Sequence, residues 1–127
     1  GLGGDRMRAG IVGSRRWQNR EMIEVLVNEL PLDSVIVSGG CRGVDSWAAS
    51  AAHSRGLEVV EHLPCLPAGG GPRWVYTQAY HARNLKIVED SDVIYAFAAA
   101  DRKGGTENTI KHAQKLGIPV KVITEGE

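Results

Sequence analysis

Short apolar runs alternate along this chain with stretches in which apolar residues recur every three to four positions, and that alternation predicts strands and helices in turn. Arg8-Ala-Gly-Ile-Val12 reads as a first strand, broken by Gly13-Ser14-Arg15-Arg16-Trp17. Met22, Ile23, Leu26, Val27 and Leu30 then fall at helical spacing, with Asn19 placed to cap the helix and Pro31 to stop it. Val35-Ile36-Val37 is apolar throughout, as in a strand covered on both faces. Glycines follow it, and an alanine-rich helix is predicted from Val44 to Ser54, closed by Gly56 and thin enough at Ala48, Ala49, Ala51 and Ala52 to lie close on a sheet. Leu57 to His62 suits a third strand, and Leu63 to Pro72, rich in proline and glycine, a loop. Arg73 to Glu89 turns helical, with Val75, Ala79, Ala82, Leu85 and Val88 on one side and Tyr76, Tyr80, Arg83 and Ile87 on another. Val93 to Phe97 is a fourth strand, Thr106 to Leu116 a helix ended by Gly117, and Ile118 to Ile123 a last strand whose Pro119 suits the start of an edge.

Strands alternating with helices imply right-handed crossovers and a parallel sheet. The expected fold is α/β: a single Rossmann-like three-layer domain, with a five-stranded parallel sheet in the order 3-2-1-4-5 and helices on both faces. In that order the winding reverses beside the first strand, and ligands sit at the carboxyl ends of the strands there. The loops brought to that point hold Gly13-Ser14-Arg15-Arg16, Gly39-Gly40-Cys41-Arg42-Gly43 and Gly104-Gly105-Thr106-Glu107, with Arg15, Arg16, Arg42 and Arg102 as nearby cations.

At 127 residues and 43% hydrophobic, the chain has the length of one ordinary domain. Residues 7–124 are expected to form it, and residues 1–6 a disordered extension or cloning remnant. Fifteen Lys and Arg balance fifteen Asp and Glu, so the overall attraction behind nonspecific nucleic-acid binding is missing, although a local basic patch remains open. Cys41 and Cys65 show no metal spacing, and reduced thiols in a cytoplasm fit them. No apolar run approaches the ~20 residues of a membrane span, so no membrane partner is expected.

The central stretch, Ser38-Gly39-Gly40-Cys41-Arg42-Gly43-Val44-Asp45, has the form of a strand, a tight turn and a helix start. Backbone NH groups and the positive end of a helix dipole can hold an anion at such a place, and glycines let a ligand approach the backbone. Arg42 adds a planar donor suited to phosphate. The sequence has neither a Walker A loop nor Gly-x-Gly-x-x-Gly, so neither an NTPase nor a conventional dinucleotide enzyme is indicated. The candidate phosphate-binding set is Gly13, Ser14, Arg15, Ser38, Gly39, Gly40, Arg42, Gly43, Asp45, Arg83, Asn84, Gly104, Gly105 and Thr106. Asp45 either accepts turn amides or contacts a ribose. Trp17 stacks on a base or packs against a helix. Thr106 is a natural N-cap and Glu107 a first-turn acid or a general base. The histidines at 53, 62, 81 and 112 share no ligand spacing and no metal site is expected.

Gly13-Ser14-Arg15, the Ser38 to Asp45 turn, Arg83-Asn84 and Gly104-Gly105-Thr106, in that order, resemble the SLOG superfamily, named for the DNA-processing Smf/DprA proteins and the LOG proteins; the likeness runs from about Arg8 to Ile123. It is strongest to small stand-alone members inferred to bind nucleotides. The resemblance implies a Rossmann-like fold, phosphate on the glycine turns, a homodimer or higher homo-oligomer, and an AMP-like or ADP-ribose-like ligand with no cofactor required. An alternative it implies is a LOG-like phosphoribohydrolase, which cleaves the N-glycosidic bond of a nucleoside 5′-monophosphate, with Arg83 and Glu107 as the candidate catalytic pair. Arg83 matches the LOG arginine, but Thr109 stands where the LOG glutamate would be, so Glu107 would have to act by a different approach. DprA proteins bind single-stranded DNA. Zero net charge and the lack of an accompanying domain rank that expectation, and nucleic acid as a partner, below nucleotide binding.

Overall fold

The computed structural model describes residues 6–125. The elements run β1 (Arg8–Gly13), α1 (Arg20–Glu29), β2 (Val35–Ser38), α2 (Val44–Ser54), β3 (Glu58–Glu61), α3 (Arg73–Glu89), β4 (Val93–Ala98), α4 (Gly105–Leu116) and β5 (Val120–Thr124). All five strands are parallel, in the order β3-β2-β1-β4-β5. The α/β architecture and strand order therefore follow the sequence pattern. The proposed extension at residues 1–6 lies outside the described residues except for Arg6. That residue is tied in, its Nε donating to Asp33 O at 2.8 Å and its Nη1 to Glu58 Oε1 at 2.9 Å, so it belongs with the domain.

Alternation along β1 divides the core. Ala9 and Ile11 face α1 and α2, where Ile23, Val27, Ala48 and Ala52 are buried with them; Val12 faces α3 and α4, where Ile87, Val88, Ile110 and Ala113 close the second core. Each of these valine and isoleucine side chains, fully buried, contributes about 1.5–3 kcal/mol. Every residue of β2 is buried, as its unbroken apolar run requires. Trp17 belongs to the first core: it is 3% exposed, its ring meets Phe97 edge-on at 5.1 Å, and its Nε1 donates to Asn19 O. A ring so placed is unavailable to a base, and the stacking alternative for Trp17 is removed.

Caps behave as their chemistry dictates. Asn19 Oδ1 accepts from Met22 N at the start of α1, and the left-handed Gly117 ends α4. Arg55, just beyond α2, donates Nη1 to the carbonyls of Val27 and Leu30, satisfying the end of α1 from a neighbouring helix. Thr106, however, is not a cap. Gly104 occupies that position at φ +121°, a conformation that a side chain resists, and Thr106 lies buried inside the first turn.

Two further contacts position the strands. At Gly13, a Cβ would lie 2.4 Å from Val44 Cγ2 and 2.6 Å from Val44 Cβ, so β1 and the start of α2 touch backbone to side chain. At the opposite end of β1, Arg8 Nη2 pairs with Asp90 Oδ1 at 2.7 Å and His62 Nε2 meets Asp90 Oδ2 at 2.8 Å. Partial burial pushes the Asp90 carboxyl up, but the hydrogen bonds and charges of Arg8 and His62 outweigh it and hold the group below its ordinary range.

Gly13→Ala is expected to cost about 1–3 kcal/mol, the scale of overpacking, read from the urea midpoint; an unchanged midpoint would mean that α2 moves away freely. Because the Asp90 value is lowered on folding, its stabilisation is present above the unfolded carboxylate value and is lost as pH falls through the folded one. Thermal melts should show Asp90→Asn less stable than wild type at neutral pH, with the gap closing below about pH 4.

Candidate functional site

The carboxyl ends of β1, β2 and β4 open into one cavity of about 680 Å³. Three loops build it: Gly13 to Arg16 after β1, Cys41 and Arg42 after β2, and Lys103 to Thr106 after β4. The fourth wall is α3, whose Tyr76, Tyr80, Arg83 and Asn84 line the space. The half of α3 from Arg73 to Ala82 contains no buried residue, so it projects past the sheet and roofs the opening. The expected helical stripe of Val75, Ala79 and Ala82 is not the buried one; Arg83, Asn84, Ile87 and Val88 are.

Of the residues proposed from sequence, Gly13, Ser14, Arg15, Arg42, Asp45, Arg83, Asn84, Gly104, Gly105 and Thr106 line the cavity. Ser38, Gly39, Gly40 and Gly43 do not, and the reason is geometric. Ser38 Oγ accepts the Gly40 amide at 3.2 Å, turning it inward. A Cβ on Gly39 would sit 2.5 Å from Arg83 Nη1, so the glycine makes room for a guanidinium rather than for a ligand. Gly40 faces Leu63 and Glu61, and Gly43 caps α2. The idea that three bends offer their amides to one anion is therefore corrected. The Ser14 amide donates to Phe97 O at 2.9 Å and the Cys41 amide to Asp45 Oδ2 at 3.1 Å, so these donors are occupied. The starts of α2 and α4 remain, where no side chain caps the helix.

Side chains supply most of the charge instead. Arg83 is buried, with Nη1 on Gly39 O at 2.8 Å, Nε on Asn84 Oδ1 at 3.0 Å and its guanidinium 5.7 Å from the Tyr80 ring centre. Arg15 approaches the same ring at 5.9 Å. Asn84 continues the network to Asn108 Oδ1 at 3.2 Å, linking α3 to α4. Arg16 is bound in a two-point pair with Asp101, at 3.0 and 2.7 Å. Burial pushes the Asp45 carboxyl above the ordinary aspartate range, against the opposing pull of the Cys41 amide and the Arg83 charge.

Glu107 is not brought to the cavity. Both of its oxygens are held by Arg102, at 2.9 and 3.0 Å, and Arg102 itself sits at φ +56°. The acid thus secures the left-handed bend of the β4–α4 loop, and the structure leaves Arg83 without the carboxylate partner proposed for it. Sequence reasoning missed Arg73, Tyr76, Tyr80 and Lys103 as wall residues. The available signal was Tyr76, Tyr80 and Arg83 at four- and three-residue spacing, a polar and aromatic stripe aimed at the sheet edge. Among the described residues, no group of three or more His, Cys, Asp or Glu could hold a metal, and no helix is long and apolar enough to cross a membrane.

The sequence profile of DNA recombination-mediator protein A matches residues 4–97, from before β1 to the end of β4. The chain belongs to the DNA recombination-mediator protein A family. Among its relatives, the Gene 61 protein of Mycobacterium phage D29 is 36% identical over 118 residues, covering 89% of this chain and 93% of that one. The X-ray structure of DNA processing protein A (DprA) from Streptococcus pneumoniae superposes with a TM-score of 0.76 at 20% identity, over 92% of this chain. The fold is therefore shared, and this chain spans 50% of the length of that structure. DprA/Smf proteins are SLOG members, so the superfamily suggested by the glycine turns is the right one.

Glu107→Ala should cost no more than about 1 kcal/mol, as expected of an exposed ion pair, and leave phosphate affinity measured by calorimetry unchanged within about twofold. A tenfold loss of affinity would return Glu107 to the site.

Proposed function

We propose that this protein is a DNA-processing accessory of the DprA type and that its crevice grips the phosphates of a single-stranded stretch of DNA. The observation that carries this reading is electrostatic: among the described residues five cations, Arg15, Arg42, Arg73, Arg83 and Lys103, line the cavity beside the Asp101-paired Arg16 and against one carboxylate, in a chain whose charges balance overall. Cationic side chains around a groove neutralise a phosphate backbone, and aromatic walls such as Tyr76 and Tyr80 offer faces on which bases stack whatever their identity. Family membership supports the same direction, and places DNA above the free nucleotide that neutral net charge had favoured. Net charge was a poor guide because it averages a one-sided site with an acidic remainder.

A second reading, a mononucleotide or ADP-ribose-like ligand, is favoured by the cavity volume of about 680 Å³, within the range of small-molecule sites. Phosphoribohydrolase activity is not proposed, because Glu107 is engaged elsewhere.

Fluorescence anisotropy with a short labelled single strand tests the main reading. Affinity should fall with salt at a log–log slope of about −2 to −3, at roughly 0.7 per neutralised phosphate for three to four cations. Arg15→Ala should weaken binding and reduce the slope by about 0.7. No binding, or a flat salt response, would overturn the DNA reading; full displacement of the strand by AMP or ADP-ribose would favour the second.

A further inference from the structure

A cavity built to attract anions gains nothing from a carboxylate in its wall, yet Asp45 stands there. Among the described residues it is the single carboxylate lining the cavity, and it is only 9% exposed. Its hydrogen-bond donor is the Cys41 amide in the turn between β2 and α2, at 3.1 Å on Oδ2, and the charge of Arg83 also pulls on it. Arg83, the neighbouring cation, spends Nη1 on Gly39 O and Nε on Asn84 rather than pairing with it. An ionised carboxylate has about four lone-pair sites, so Asp45 keeps accepting capacity on the side that meets the cavity.

Resting on the phosphate-binding reading above, we infer that Asp45 is a specificity-determining residue that receives a neutral hydrogen-bond donor of the bound nucleotide, while the phosphate lies across the cavity at Arg15 and the start of α4. Charge fixes this orientation. A phosphate beside Asp45 meets repulsion, whereas one at the uncapped first turn of α4 meets a helix dipole and cations. A buried acceptor left without its donor is penalised, and that penalty is the source of discrimination. Suitable donors on a nucleotide are the exocyclic amino group of adenine, cytosine or guanine, the ring N–H of guanine, thymine or uracil, and the 2′-hydroxyl of a ribose.

The test compares wild type and Asp45→Asn in anisotropy titrations with single strands of equal length made of dA, dC, dG, dT, dU, rU and an abasic deoxyribose phosphate. Asparagine can still accept the Cys41 amide hydrogen but brings its own donors and no charge. If the donor is on the base, wild type should prefer at least one of dA, dC, dG and dT to the others by about tenfold; if it is a sugar hydroxyl, it should prefer rU to dU by a similar factor. Asp45→Asn should abolish or reverse the preference and raise affinity for the abasic strand. Equal wild-type affinity for dA, dC, dG and dT and for rU and dU overturns the inference, and so does a preference that Asp45→Asn leaves intact. The first of these outcomes needs only a folded wild type, so a variant that fails to fold does not protect the inference. Failure to bind even the abasic strand takes down the phosphate reading as well, whereas abasic binding without preference removes the Asp45 role alone.

Discussion

The guanidinium of Arg83, almost wholly buried, ties three elements together: it donates to the carbonyl of Gly39 at the end of β2, holds Asn84 beside it on α3, and through Asn84 reaches Asn108 on α4. A charged donor in that position is stable only where its bonds are made, and a hydrogen bond to a charged group is worth about 1.5–3 kcal/mol. Gly39 is required because any side chain there would occupy the guanidinium's place. One glycine in a turn and one arginine on a helix far along the chain are thus two halves of the same contact. The crevice takes its shape from that contact.

Charge is distributed around this centre by pairing. Arg16 and Arg102 are each neutralised by a two-point partner and act as struts for the loops that carry them. Arg15 lies against Tyr80, which steadies the cation without cancelling it. The same residue type therefore serves two purposes within a few ångströms, and only the local partner separates them.

The architecture was legible because each element has its own local signal. The unbroken Val35-Ile36-Val37, the Asn19 cap, and Gly56 and Gly117 at helix ends all act within a few residues and need no tertiary information. The site was legible at the level of loops, because strand order alone dictates which loops meet. Its chemistry was less so. Whether an amide in the Gly39 to Cys41 turn is available depends on Ser38 and Asp45, whose side chains fold back on it. Whether Glu107 is free depends on Arg102 lying at an unusual φ. Whether Trp17 stacks on a base or packs inside the domain is decided by its edge-on contact with Phe97. In each case a short-range hydrogen bond or ring contact decides the outcome, and such contacts have no periodicity to read.

The roof of the crevice is the part of α3 from Arg73 to Ala82, which has no fully buried residue and includes Trp74 at 62% exposure. Local opening free energies follow local burial, so this half of the helix can fray while Ile87 and Val88 keep the remainder anchored. Widening the mouth then breaks a few solvent-facing helical hydrogen bonds and leaves the strand ladder intact. A long, flexible polymer could thread in sideways through such a hinge without waiting for the domain itself to come apart.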